Sequence, residues 1–559
     1  VTTKRNKPEE AEADLSGYAG RWIARLGGQI VGQGGTPEQA LQAAKTARFK
    51  ENPEVIYVSA GQPLAIHPLV DTVRGLLPPD TQAFLVGGAV RDALLARSTH
   101  DLDFVLSKDA IATARRVADH LDAAFYPLDK ERDYGRVILS NSTEGQYIID
   151  FAVFQGVDLE SDLRARDFTI NAMALDVRSP QALLDPLGGA ADLRSKQLRA
   201  CSPDSFTADP LRIIRGIRLA SDFDFHIQRE TRDRMRQASH QLARVSPERV
   251  RDELFRVLGS ARPKAALFAL DLLGVLPVIL PELKEQKGVN QSPPHINNVW
   301  EHTLDVVQRL VLILNVLGPD YDPDSAASLH LGLLALRIGR FREQILTHLD
   351  TRLNADRTVR PLLLLAALYH DAGKPSTRSV DEDGRIRFFN HEQEGERLIA
   401  RRGKQLQLSN PELAHLKTIV RHHMRPLLLA QTGQPPTRRA IYRFFRDTGP
   451  AGVDICLLSL ADVFATYGHT LPQDVWIEHL DVVRTLLEAW WERPEESISP
   501  IQLLTGDDLI SELGLEPGPI VGELLEGLRE AQATGQVSNR REALDLAGDL
   551  LKGIKKGDR

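Results

Sequence analysis

Two cysteines in 559 residues, Cys201 and Cys456, exclude a disulfide framework and a four-thiolate zinc site, and they fit a reducing compartment. Long apolar runs are also missing. No stretch of about eighteen apolar residues appears, and the opening VTTKRNKPEEAEADL lacks the apolar core of a signal peptide, although a start without Met also fits a processed or trimmed chain. The expectation is a cytoplasmic protein without membrane contact. Nor is there an excess of positive charge: the formal net charge of −7 argues against indiscriminate nucleic-acid binding while leaving room for a local basic surface. What is present, 42% hydrophobic and 26% charged residues, is ordinary globular composition on a chain long enough for three or more cores.

Along the chain, residues 1 to about 15 are polar and read as disordered. GRWIARL and QIVGQ then form a hairpin around Gly27-Gly28, TPEQALQAAKTARF a helix capped by Thr36, and EVIYVS a closing strand. This small ββαβ unit, residues 1–62, is read as an appended module. Residues 63–200 mix short strands and helices, and from about 205 onward the apolar residues recur at a 3.6 period, as in DPLRIIRGIRLASDF and PKAALFALDLLGVL. The fold class is therefore α+β, a small mixed head on a long helical body.

The stretch FLVGGAVRDALLARSTHDLDFVL, residues 84–106, carries the first chemical signal. Ala83 to Val86 reads as a buried strand, the glycines as a turn with exposed backbone, and Ala89 to Ala96 as a helix whose first amides can meet an anion such as a triphosphate. Leu102 to Leu106 is a second strand. Asp101 and Asp103, two apart, then share a face with Cα atoms about 6.6 Å apart. Such a pair can hold two Mg²⁺ ions, one lowering the pKa of an attacking hydroxyl and the other neutralising a leaving pyrophosphate. YIIDFAVF offers a third strand carboxylate, Asp150, among apolar neighbours where an unpaired charge is costly, and a metal would explain it.

GGAVRD, HDLDF, RDFTINAMA (166–174), DPLGG (185–189) and DPLRIIRGIRLA (209–220) follow one another in an order that resembles the bacterial-type (class II) tRNA nucleotidyltransferase and poly(A) polymerase family. The resemblance runs from residue 83 to about 260. It implies a polymerase-β-like head that adds nucleotides to an RNA 3′ end by two-metal chemistry without a template. In that case Gly87, Gly88 and Arg91 hold the triphosphate, Asp101 and Asp103 the Mg²⁺ ions, and Asp150 is the third carboxylate.

The resemblance also assigns base choice to Asp209 and Arg212. An Asp accepts a proton from the exocyclic amine that C and A both carry, and it faces a carbonyl, another acceptor, in G and U. Arg166, Arg215 and Arg218 would then meet phosphate or sugar. Three positions depart from the family pattern: Ala208 replaces the Glu before the base-reading Asp, Ala165 the first Arg of an Arg-Arg-Asp motif, and Gln155 a frequent Arg. These departures raise the prospect of a restricted reaction, adding only C or only the terminal A. Between Arg212 and Arg262 twelve arginines face seven acids, a basic neck suited to an RNA backbone. The segment 503–544 resembles the C-terminal part of tRNA nucleotidyltransferases, with Pro517-Gly518-Pro519 opening a helix.

A second constellation lies further on. LLLLAALYHDAGKPS places His370 and Asp371 at the close of an apolar helix, and with His302, His391, His422, His423 and Asp462 the order resembles an HD-domain phosphohydrolase. Mixed imidazole and carboxylate ligands suit a transition metal better than Mg²⁺, although Mg²⁺ or Mn²⁺ also enters consideration. The expected organisation is then a module (1–62), a nucleotidyltransferase head (63–200), a helical neck (201–265), a body with the HD-type metal site (266–498) and an RNA-binding tail (499–559). The expected activity is addition of C and/or A to the tRNA 3′ end from CTP and ATP, with possible phosphohydrolase activity in the body. A poly(A) polymerase, an HD phosphohydrolase with an RNA-binding head, and a non-catalytic RNA-binding protein are the alternatives.

Overall fold

A computed structural model describes residue 18, residues 21–26, 29–34, 37–46 and 53–58, and residues 66–557 apart from 142–144, 181–182, 320, 322–327 and 355–356. The expected disordered start, the Gly27-Gly28 turn and the Thr36 cap lie outside the described residues. The chain divides into two compact units, Val1–Gln241 and Leu242–Arg559.

The first unit is built on a ten-stranded sheet. Its strands are β1 (Arg21–Leu26), β2 (Gln29–Gly34), β3 (Glu54–Val58), β4 (Ala83–Val86), β5 (Asp101–Leu106), β6 (Ala124–Asp129), β7 (Tyr134–Asn141), β8 (Gly145–Val153), β9 (Ala174–Asp176) and β10 (Leu183–Leu184), in the spatial order β2-β1-β3-β10-β9-β4-β5-β8-β7-β6. β4 is an unbroken buried run, AFLV, as expected of a strand covered on both faces. β5 lies antiparallel to β4 and parallel to β8, in a register that sets Asp103 beside Asp150.

The ββαβ segment is more than an appendage. β3 pairs with β10, with Leu183 opposite Tyr57, so its strands extend the sheet of the head, and Trp22, Ile23, Ala24 and Ile56 on them are buried. Pairing an exposed edge in this way removes unsatisfied backbone donors and acceptors.

The boundary after Gln241 also cuts through the neck read as residues 201–265. Helices Arg212–Phe223 and Arg229–Ala238 go with the head for identifiable reasons. Gly216 lets the first of them approach Phe168 so closely that an added Cβ would sit 2.5 Å from its ring. The Ala200 amide donates to Thr231 Oγ1 at 3.1 Å, and Gln197–Leu198 pairs in parallel with His226–Ile227.

The second unit is predominantly helical. Helix Val299–Val316 starts where the Asn298 side chain accepts the Glu301 amide, and helix Asn410–His422 starts at a Ser409–Glu412 capping box. At its centre, the stretch Ala451–Thr470 is long and apolar enough to cross a membrane by length and composition, with mean hydropathy 1.4. Asp454 and Asp462 interrupt it, which is why no unbroken apolar run appears in the sequence, and 94% of the stretch is buried inside the protein: it is a core helix. The C-terminal helices Gly506–Leu513, Pro519–Ala533 and Arg540–Gly557 close over their own core of Leu509, Leu524, Leu528, Ala543 and Ala547.

Candidate active site

Asp101 opens β5 exposed, Leu102 turns into the core, and Asp103 stands half-buried on the same face as Asp101. Burial pushes the Asp103 carboxyl up; Arg166 and Arg215 pull it back, and Asp150 and Asp101 add like-charge repulsion. Asp150, across the parallel register, is a different case. Its two oxygens accept Nε and Nη2 of Arg136, both at 2.8 Å, and the Tyr134 hydroxyl at 2.7 Å. Hydrogen bonding to Asp150 raises the Arg136 pKa, and burial followed by the same carboxylate raises that of Tyr134. The buried charge that a metal was expected to explain is therefore balanced by the protein itself.

The glycine turn faces Asp103. Gly87 has φ +75° and ψ −138°, a conformation that L residues avoid, and a Cβ there would lie 3.0 Å from Asp103 Oδ2 and 3.3 Å from Arg166 Nη1. The space in front of Asp103 exists because residue 87 has no side chain. That cradle, with Asp101 and Asp103 at its rim, suits hard divalent cations bound through oxygen.

Behind it, two of the motifs interlock. In helix Arg212–Phe223 the Arg212 guanidinium donates to the carbonyls of Ala165 (2.8 Å), Arg166 (3.2 Å) and Ser205 (3.5 Å), and Arg215 pairs with the buried Asp167 at 3.0 Å. Asp167 also accepts the Phe168 amide and the Asn171 side chain, and Asn171 accepts Arg91 Nη1 at 2.7 Å. Burial opposes the charge of Asp167, but Arg215, Asn171 and the Phe168 amide hold its pKa below the usual carboxylate value. Arg91 is itself buried, held by Asp92 and stacked 4.5 Å from the Phe223 ring centroid. Arg166 bonds Asp162 beside the glycine turn, Arg218 lies 3.4 Å from Asp222, and the Asp209 carboxylate accepts the Leu211 amide. Ala208 and Gln155 are exposed.

The HD-type residues converge in the second unit. His302 Nε2 donates to Asp462 Oδ1 at 3.0 Å; His370 Nε2 is 3.2 Å from Asp371 Oδ2, and His391 Nε2 is 3.5 Å from Asp371 Oδ1 and 3.3 Å from His423 Nε2. His370, His391 and His423 each donate Nδ1–H to a carbonyl three residues back, those of Ala367, Phe388 and Val420, at 2.7 to 2.8 Å. This fixes the tautomer and turns each Nε2 lone pair inward, as metal-ligating histidines require. Burial lowers the pKa of His391 and pushes that of His423 down to about 3. Burial opposes the charge of Asp371, yet His370 and Lys374 keep its carboxyl well below the usual range. The donor set fits a divalent transition metal.

His422 does not join. It is half-buried, its pKa drawn down by burial and by the nearby Arg425, because adjacent residues on a helix point about 100° apart and only His423 can face inward. Sequence reasoning missed Lys374, whose ammonium is 2.6 Å from Asp371 Oδ2 and 2.7 Å from Gln291 Oε1. Its signal was its place one helical turn after Asp371. Asn171 and Asp167 were within the RDFTINAMA motif but unassigned. Asp454, fully buried between His348 (2.8 Å) and His415 (2.9 Å), had no local signal.

Four family profiles match in chain order: the poly A polymerase head domain at residues 83–199, the probable RNA and SrmB-binding site of polymerase A at 224–287, the HD domain at 299–467, and a putative tRNA nucleotidyltransferase domain 2 at 485–547. The chain is 35% identical over 477 residues to an A-adding tRNA nucleotidyltransferase of Deinococcus radiodurans, covering 84% of this chain and 96% of that protein. It is 34% identical to a CC-adding tRNA nucleotidyltransferase of Geobacter sulfurreducens, covering 82% and 90%. A CCA-adding enzyme complexed with CTP shares the fold at TM-score 0.56 and 19% identity, covering 88% of this chain and 99% of that one. The Thermotoga maritima CCA-adding enzyme complexed with tRNA does so at TM-score 0.52 with the same identity and coverage.

Proposed function

The chain belongs to the bacterial tRNA nucleotidyltransferase family, and from that premise we propose that it extends the tRNA 3′ end from a single kind of nucleotide, C or A, at the carboxylates of β5 in its head. It is an enzyme of CCA addition. Asp101 and Asp103 would hold Mg²⁺, which supplies neutralisation of the triphosphate and a lowered pKa for the attacking RNA hydroxyl. The Gly87 turn admits the triphosphate close to Asp103, and Arg166, beside that turn, meets a phosphate. Asp150 keeps its place in the strand register while Arg136 and Tyr134 absorb its charge, so its role is to position Asp103 and shape the field there. The substrate strand reaches the arginine-rich neck, where guanidinium groups hold phosphates without reading them. Use of tRNA and of either CTP or ATP by this chain, and a cytoplasmic location, belong to the same reading.

One observation carries the restricted reaction: Arg212 is held by three backbone carbonyls, so the base-reading pair Asp209 and Arg212 is a preset edge. Ala208 supplies no carboxylate next to it. Two relatives of nearly equal identity are named for partial reactions, A addition and CC addition. The test uses tRNA lacking its CCA end and tRNA ending in CC, each with CTP, ATP or both. Incorporation from one nucleotide only is expected. A complete CCA end would overturn the restriction, and long A tails without C would replace the tRNA reading with a poly(A) polymerase.

The inward Nε2 atoms around Asp371 favour a second reading for the body, hydrolysis of a phosphoester by a metal-activated water. Release of p-nitrophenol from bis-p-nitrophenyl phosphate, retained in an Asp101→Asn, Asp103→Asn double variant and lost in Asp371→Asn, is the expected result.

A further inference from the structure

We infer that Arg97, on the loop between helix Gly88–Leu94 and β5, holds a backbone phosphate of the RNA strand upstream of the 3′ nucleotide that is extended. The inference rests on the tRNA reading above and adds to it a substrate contact that none of the motifs supplies.

Arg97 is exposed, and among the described residues it has no carboxylate partner. Its neighbours are committed elsewhere. Arg91 is buried and donates Nε and Nη2 to Asp92 and Nη1 to Asn171, and Arg218 lies beside Asp222. Arg91 and Arg97 share one aromatic ring: their guanidinium carbons stand 4.5 and 4.8 Å from the centroid of Phe223. An exposed arginine ordinarily loses much rotamer freedom when it binds, whereas one already stacked on a ring has given up part of that freedom beforehand. The edge of its planar fork stays available to a phosphate.

The backbone under Arg97 is held as well. Beyond helix Gly88–Leu94 the chain reverses at Ala96, which has φ +53°, and the Arg97 amide donates to the Asp92 carbonyl at 2.8 Å. Glycine is the usual residue in that left-handed conformation, so Ala96 carries strain of the kind found where a loop must present a group in one place. Two residues further, Thr99 Oγ1 donates to the Asp101 carbonyl and accepts the Asp101 amide, both at 3.2 Å. The loop thereby joins the first of the two β5 carboxylates.

Charge and distance select the ligand. Burial, with a smaller contribution from the charge of Arg218, lowers the Arg91 pKa, so Arg218 adds positive potential close to Arg91. Asp92 and Asp222 answer Arg91 and Arg218, and the charge of Arg97 is left for an anion. Helix Gly88–Leu94 has seven residues, which at the helical rise sets its far end about 10 Å from the glycine turn that admits the triphosphate. The phosphate that reaches Arg97 therefore belongs to the strand and not to the incoming nucleotide. Such a contact positions RNA without reading its sequence.

The experiment compares the full-length wild type with Arg97→Gln, using tRNA that lacks its CCA end. The tRNA Kd is measured from about 50 to about 200 mM salt, and the nucleotide KM at saturating tRNA. Arg97→Gln should raise the Kd about tenfold at low salt and reduce the slope of log Kd against log salt by about 0.7 to 0.9, the share of one phosphate. Nucleotide KM and melting temperature should stay as in the wild type. Arg97→Lys, which keeps the charge and loses the planar stack, should restore the slope and only part of the affinity. An unchanged tRNA Kd, an unchanged slope or a raised nucleotide KM in Arg97→Gln would each overturn the inference, the last by assigning Arg97 to the triphosphate. A wild type that fails to extend tRNA defeats both the tRNA reading and this inference, whereas one that extends tRNA while Arg97→Gln binds it equally well defeats this inference alone.

Discussion

Asp150 and Arg136 face each other across β8 and β7, and their pairing changes what each residue does. Read alone, Asp150 is a carboxylate among apolar residues that calls for a cation; the structure supplies one as a guanidinium. Arg136→Met should therefore destabilise the first unit. A fully buried pair loses roughly 3 to 5 kcal/mol when one partner goes, but Arg136 is 33% exposed and Tyr134 keeps its bond, so about 2 kcal/mol is expected from denaturant titration. Asp454 poses a pH-dependent version of the same problem. Burial opposes its charge, yet His348 and His415 hold its pKa below the ordinary value; burial likewise opposes a charged His348, and Asp454 outweighs it to raise the His348 pKa. The His348 contribution is thus complete below the unfolded histidine value near 6.5 and lost as pH rises through the higher folded value; the Asp454 contribution is present above about 3.9 and lost as pH falls through the depressed one. Melting temperature followed from pH 5 to pH 9 should fall on the alkaline side, and His348→Gln should flatten that slope.

Elements act through the close approaches their sequences permit. The β4 turn works because residue 87 can take φ +75° and because no Cβ stands before Asp103. Gly87→Ala should cost about 1 to 3 kcal/mol of backbone strain and also crowd Asp103 Oδ2 and Arg166. The expected outcome is a chain that folds with a lowered melting temperature and loses nucleotide transfer, checked by calorimetry beside single-turnover kinetics. The strand, turn, helix and strand around it were legible in the sequence, since short apolar runs and a glycine pair between them are local signals. The extension of the sheet by β3 was not, because Leu183 and Tyr57 lie far apart in the chain and nothing local encodes their pairing.

At the scale of the whole molecule, the two constellations of carboxylates lie in different compact units. Their chemistries should therefore separate. Asp101→Asn with Asp103→Asn should lower nucleotide transfer by about 10³-fold or more, the several kcal/mol a metal contributes, and leave the stabilisation of the second unit by divalent metal intact. Asp371→Asn should abolish the rise in melting temperature on adding metal while transfer persists. Both variants are checked by the same two measurements, primer extension on tRNA and calorimetry with and without chelator.

Read as a string, the chain already contains the order of its motifs, the residue types they carry and the local turns and helices that present them, because backbone preference and burial period are properties of neighbours. It also pairs His422 with His423 without telling which one faces inward. The folded molecule alone settles that choice, the Arg136 partner of Asp150, the network from Arg91 through Asn171 and Asp167 to Arg215, and the two faces of Asp371. Those contacts join residues that only strand register and helix packing bring together, and register and packing are decided by the whole buried surface at once.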